Sequence, residues 1–231
     1  MSDVTIQATD GGSFTGYLAE PPSGQGPGIV VIQEIFGVNE QIRDYCDFLA
    51  GQGYFALCPD LFWRQEPGVQ LTDRTEAEWQ KAFKLYQGFN EVKGVDDLIA
   101  AMELLRDHPG VTGKVGAVGF CLGGKLAYLM ATRSDSDATV AYYGVGIDRH
   151  LDECAAITRP LLMHIAGKDS FVPPEAQAQI KDTLGGNSLV AIYDYPDQQH
   201  AFARTEGQHW DPDAAQAAEE RTLAFFREHL F

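Results

Sequence analysis

The 231-residue sequence predicts an α/β fold: a single domain over residues 1–231, with a mainly parallel sheet, helices on both faces and an antiparallel hairpin at the N-terminus. Three observations carry this. Short apolar runs, among them Ile29–Ile32, Val115–Val118 and the segment PLLMHIAG, alternate with stretches of helical periodicity, which is the pattern of βαβ units. The runs are continuous and do not alternate, so they belong to strands covered on both faces. A hydrophobic content of 45% in 25.3 kDa is enough to build a full core.

Each element follows from local chemistry. VTIQATDGGSFTGYLAEP alternates around Asp10–Gly11–Gly12 and reads as the hairpin. PGIVVIQEIFG supplies the first buried strand. In VNEQIRDYCDFLAGQGY, Asn39 is placed to cap a helix, Ile42, Tyr45, Cys46 and Leu49 share one face, and Gly51 stops it. YFALCPDLF is a strand broken by Pro59. From Trp63 to about Thr75 the chain is polar and acidic, with Pro67 and Gly68, and reads as a surface loop. The stretch RTEAEWQKAFKLYQGFNEVKGVDDLIAAMELLRDHPG is helical in two pieces, divided near Gly94 and ended by Pro109–Gly110. There follow the strand Val115–Val118 and its helix, ATVAYYGVG, PLLMHIAGKDS, a helix from Pro174 to about Leu184, LVAIYDYPD, and an amphipathic helix running to Phe231.

Thirty-three acidic against seventeen basic residues give a formal charge of −16. That field repels phosphate backbones and anionic lipid, so the expectation is no nucleic acid and no membrane among the partners. An acidic ligand would need a local positive group. Cys46, Cys58, Cys121 and Cys154 are far apart and show neither CxxC nor Cys/His ligand spacing, so no metal site and no disulfide framework is expected. The N-terminus has no signal-peptide pattern, which makes a reduced, cytoplasmic protein the default.

Chemistry concentrates in KVGAVGFCLGGKLAYLM, a strand that becomes a helix within about three residues. One reading is a phosphate loop, because Gly119–Lys125 fits GxxxxGK. Leu126, however, stands where a hydroxyl should hold Mg²⁺, and Phe120–Cys121–Leu122 is bulky for a phosphate cradle. The other reading is a nucleophile elbow, Gly119–Phe120–Cys121–Leu122–Gly123, with a cysteine in the serine's place. Most free cysteines are buried and structural. The partners of Cys121 favour the elbow. In this architecture the chain order is nucleophile, acid, histidine, and Asp169 and His200 both fall just beyond the carboxyl ends of strands, where open sheets hold their sites. His164 lies within a strand, His108 and His229 lie near helix ends, and His150 and His209 lie in polar connections. Glu34 directly follows a buried strand. It is either an exposed loop acid or a carboxylate set beside the thiol, with the Ile35 N–H joining that of Leu122 as oxyanion donors.

With these residues placed, the sequence resembles the dienelactone hydrolase (carboxymethylenebutenolidase) family of the α/β-hydrolase fold over essentially its whole length. The resemblance is carried by QEIFGVN, CPDLFWR, GFCLGGKLAY, YYGVG, GKDSFVP and HAFAR together. It implies Cys121 as nucleophile, His200 as base, Asp169 as its orienter, Leu122 and Ile35 as the oxyanion hole, and Glu34 as a restraint on the resting thiol. The expected substrate is a small ester or lactone, hydrolysed without cofactor or metal by a monomer or small homo-oligomer. One departure stands out. Of the two arginines that hold a substrate carboxylate in dienelactone-cleaving members, one matches Arg204, but the other position is Trp79 here. The flanking Tyr and Trp correspond to Phe83 and Tyr86, and Lys81 and Arg74 lie close by in sequence. The natural substrate therefore stays open. Two alternatives of other classes stay open as well: a thiol-sensing or ligand-binding protein without turnover, and a nucleotide-binding protein using the GxxxxGK loop.

Overall fold

The computed structural model describes residues 2–231 and has the mixed α/β architecture that the sequence predicts. The chain forms two compact units, one reaching to Gly116 and including Phe231, the other spanning residues 117–230.

In the first unit, β1 (Ser2–Gln7) and β2 (Ser13–Ala19) form the N-terminal hairpin, with Ile6 opposite Phe14. Its turn needs two consecutive left-handed residues, Gly11 (φ 94°) and Gly12 (φ 88°), which only glycine accommodates cheaply. β2 pairs antiparallel with β4 (Phe55–Pro59), and β4 pairs parallel with β3 (Gly26–Ile32), giving the order β1-β2-β4-β3. Every residue of β3 and β4 is buried, as continuous apolar runs require. Helix α1 (Glu40–Gly51) starts where the Asn39 side chain accepts the Ile42 N–H at 3.2 Å.

The following helical stretch divides differently from the sequence expectation. α2 (Glu76–Gln87) and α3 (Glu91–Asp107) are separated at Gly88–Asn90, and Gly94 lies inside α3. The break falls there because Asn90 caps the Lys93 N–H at 3.1 Å. Gly94 is required for a different reason, since the Phe89 ring occupies the space a Cβ would fill. The Trp63–Thr75 loop is anchored rather than free. The Trp63 ring stacks on Phe14 at 5.3 Å, and its N–H donates to the buried Asp97 carboxylate at 3.0 Å.

β5 (Val111–Phe120) is longer than the apolar core Val115–Val118 that announces it; it begins in the first unit and ends in the second. The second unit continues with α4 (Leu122–Arg133), β6 (Thr139–Tyr142), a kinked 3₁₀ segment (Ile147–Ala156), β7 (Leu161–Ala166), α5 (Pro174–Leu184), β8 (Val190–Tyr195) and α6 (Pro212–Leu230). Strands β5-β6-β7-β8 are all parallel neighbours. The 3₁₀ segment was not apparent in the sequence.

A buried polar chain ties these strands to α6. Tyr142 Oη lies 2.7 Å from Thr222 Oγ1, His164 Nε2 3.0 Å from the same oxygen, and His164 Nδ1 2.9 Å from Tyr195 Oη. Arg221 donates to Tyr195 Oη at 2.9 Å. A consistent assignment runs from Arg221 through Tyr195 to His164 Nδ1, with His164 Nε2–H donating to Thr222. Burial, seconded by the Arg221 charge, pushes His164 down to about 3, so it is a neutral structural histidine.

Candidate active site

The site in the second unit is built where three strands end. β5 delivers Cys121, which sits at φ 56°, ψ −113° as the residue before α4. A left-handed backbone costs a non-glycine residue of order 1 kcal/mol or more and is retained here by neighbours that over-determine it. The Cys121 N–H donates to Tyr142 O at 3.1 Å, and its carbonyl accepts from Lys125 N at 3.2 Å and Val145 N at 3.3 Å. The elbow closes so tightly that a Cβ on Gly119 would meet the Gly123 carbonyl, and one on Gly124 would meet the Tyr142 carbonyl. α4 starts at Leu122, immediately after Cys121, so the first N–H groups of a buried helix lack an intrahelical partner next to the cysteine.

β7 delivers Asp169. Its Oδ1 accepts the N–H groups of Phe171 (2.8 Å) and Val172 (3.3 Å), which fixes the carboxylate and leaves Oδ2 for the histidine. The segment after β8 delivers His200, whose Nδ1 lies 2.7 Å from Asp169 Oδ2. Both side chains are almost wholly buried, at 5% and 1% exposure, so the bond forms in a low dielectric. With Nδ1 occupied, Nε2 remains for the hydrogen bond between His200 and Cys121. Burial alone would lower the His200 pKa. The neighbouring Cys121 sulfur and the Asp169 carboxylate overcome it and push the imidazole up to about 10. Cys121 is partly exposed.

Three of the four proposed catalytic residues, Cys121, Asp169 and His200, thus come together. Leu122 is the first residue of α4. Arg204 is half-buried four residues after His200, on a turn in which its N–H donates to Ala201 O at 2.9 Å. Sequence reasoning missed two rings that flank the imidazole. Tyr143 packs edgewise at 5.1 Å between centroids and Phe171 at 4.8 Å. Tyr143 is itself strained (φ 36°), and Phe171 is 42% exposed. Both lie in stretches that carried the resemblance, YYGVG and GKDSFVP, so the signal was present without its meaning.

The remaining residues belong to the first unit. Glu34 lies just past β3 and is 8% exposed, between Gln33 and Ile35, which are buried too. Trp79, on α2, stacks on Phe83 at 5.5 Å and meets Phe36 edge-on at 5.1 Å, and its N–H donates to Asp73 O at 3.0 Å. The indole is committed to this cluster. Phe83 is partly exposed and Tyr86 half-buried. Lys81 is paired with Glu66 at 2.6 Å, which engages it on the exposed face of α2, and Arg74 is exposed. Among the described residues, no three His, Cys, Asp or Glu side chains are grouped to hold a metal ion, and no helix is long and apolar enough to cross a membrane.

Comparison with known proteins gives a consistent picture. The model of the dienelactone hydrolase family matches residues 14–230. A provisionally named carboxymethylenebutenolidase of Azospirillum brasilense is 51% identical over 232 residues and covers 100% of both chains. The carboxymethylenebutenolidase of Pseudomonas putida is 41% identical over 222 residues, covering 96% of this chain and 94% of that one. Among solved structures, a provisionally named dienelactone hydrolase from Klebsiella pneumoniae superposes with a TM-score of 0.86 at 27% identity, covering 99% of this chain and 98% of the other.

Proposed function

The chain belongs to the dienelactone hydrolase family, and from that premise we propose that it hydrolyses a small ester or lactone through a cysteinyl acyl-enzyme. The observation that carries this reading is the relay Asp169–His200–Cys121, in that order in space and in the nucleophile–acid–histidine order along the chain. With substrate bound, the Cys121 thiol passes its proton to His200 Nε2, and the thiolate so formed attacks the acyl carbon and a C–S bond forms. The charge that develops on the carbonyl oxygen is met by the Leu122 N–H. His200, protonated at Nε2, gives that proton to the leaving oxygen as the C–O bond breaks; in a lactone the leaving alcohol stays tethered. Water then attacks the thioester, His200 takes one of its protons, the C–S bond breaks and the thiolate–imidazolium pair is restored. Asp169 holds the tautomer and stabilises the imidazolium throughout.

Arg204 is the group we assign to a substrate carboxylate, and Trp79, Phe83 and Tyr86 favour a less charged or bulkier substrate than dienelactone. Glu34 and Ile35 take the roles the family resemblance implies, so that Glu34→Gln changes the pH dependence of Cys121 alkylation. The protein works in the cytoplasm, as a monomer or small homo-oligomer. The test is a turnover screen across lactones and across carboxylated and neutral esters, with Cys121→Ala as blank. Mass spectrometry of the quenched reaction should show an acyl adduct on the Cys121 peptide. Undiminished turnover by purified Cys121→Ala would sink the mechanism.

A further inference from the structure

We propose that His209 is a positioning residue for the catalytic base: its ring N–H holds the backbone carbonyl of His200 and thereby sets the direction of the His200 imidazole. This rests on the reading of His200 as the base.

His209 Nδ1 lies 3.1 Å from His200 O. A carbonyl only accepts, so the proton of neutral His209 sits on Nδ1. His200 itself is 4% exposed, which leaves its carbonyl little recourse to solvent. The backbone at this point needs a restraint. β8 ends at Tyr195, so His200 is beyond the ladder, and Ala201 immediately after it is left-handed at φ 63°. On the upstream side Gln198 is held at both ends, its N–H on Tyr195 O at 3.0 Å and its carbonyl on Lys168 N at 2.8 Å.

Downstream, His209 closes a braced loop. Arg204 N donates to Ala201 O at 2.9 Å, Gly207 N to Arg204 O at 3.0 Å, and Trp210 N to Gly207 O at 3.1 Å. Asp211 N returns to Phe202 O at 3.0 Å, while Asp211 Oδ1 accepts from Ala214 N at 2.9 Å in the first turn of α6. The imidazole of His209 therefore reaches back nine residues from a mount fixed to a helix. Its Nδ1–H persists whether the ring is neutral or protonated, so the restraint does not depend on the His209 charge state.

The experiment compares His209→Ala, His209→Gln and His209→Asn in the whole protein. The Asn side-chain N–H falls near the place of Nδ1–H, whereas that of Gln falls beyond it. Displacing a catalytic group by a fraction of an ångström should lower kcat by about tenfold in the Ala and Gln variants, with KM within about twofold. The low-field proton resonance of the His200–Asp169 bond should shift or broaden in the same two variants. Asn should restore both the resonance and most of kcat. If Ala fails to fold, the Asn–Gln difference decides. Wild-type kcat in His209→Ala, or equal kcat in Asn and Gln, overturns the inference. Activity retained in His200→Ala would instead overturn the assignment of the base, which separates the two failures.

Discussion

The mechanism we propose turns on the proton that His200 holds between Asp169 and Cys121. His200 is pushed up to about 10 against its own burial, with the Cys121 sulfur as the largest raising influence and Asp169 next. A raised pKa in the folded state means a stabilising contribution that is complete below about 6.5 and is lost as pH rises through about 10. In the mechanism we propose, catalysis follows the same proton, because the imidazolium protonates the leaving oxygen. We expect kcat/KM to hold a plateau through neutral pH and to fall on the alkaline side near 10. Removing the sulfur in Cys121→Ala should move the His200 titration, followed by its imidazole NMR signals, markedly downward. An unmoved titration would show that Cys121 does not hold the proton on His200. Asp169→Asn should keep the fold and reduce kcat on the order of a hundredfold or more, because the wrong tautomer is then held. The relay was legible in the sequence because its chain order and its strand-end placement are both constrained. Tyr143, Phe171 and His209 were not, since an aromatic or histidine in a loop carries no periodic signal saying what it will touch.

At the level of elements, continuous apolar runs and a helix cap read correctly, while the boundary between α2 and α3 did not. Gly94 looked like a breaker because glycine is a poor helix former, yet its role is to admit the Phe89 ring. A glycine needed for close approach and one that ends a helix look alike in sequence. The elbow is the stricter case. Gly119→Ala would drive a methyl into the Gly123 carbonyl, where backbone and not a flexible side chain must move. The expected cost is roughly 1–3 kcal/mol or more, read from denaturant unfolding, together with loss of turnover. The His164 chain makes a second prediction. Its pKa of about 3 lies below the unfolded value of 6.5, so the unfolded state binds the extra proton and stability falls as pH drops from about 6.5 toward 3. His164→Gln should flatten that limb of the stability–pH curve, even if it lowers stability at neutral pH. An unchanged acid slope would mean that His164 titrates normally.

The whole molecule enters through its charge. A formal −16 sets up a field that opposes the approach of any anion, and in our proposal Arg204 meets it locally, while Trp79 stands at the position where the family resemblance implies a second arginine. Composition makes the field legible before any fold is known; the local counter-charge is legible only through the motif HAFAR. Two consequences can be separated by ionic strength. Arg204→Ala removes a charge-assisted contact worth about 1.5–3 kcal/mol and should penalise carboxylated substrates roughly ten- to a hundredfold while sparing neutral ones. Raising salt acts on the long-range term, since the screening length shrinks from about 30 Å at 0.01 M to about 10 Å at 0.1 M. For a carboxylated ester, kcat/KM should therefore rise over that interval, because repulsion from the distant acidic surface is screened more than the short contact to Arg204. A neutral ester of the same size should be nearly indifferent and serves as the control. In Arg204→Ala the rise should persist, because the repelling surface is intact. A carboxylated ester whose kcat/KM falls with salt would show that attraction at the mouth of the site outweighs the global field, and the inference from net charge would be wrong.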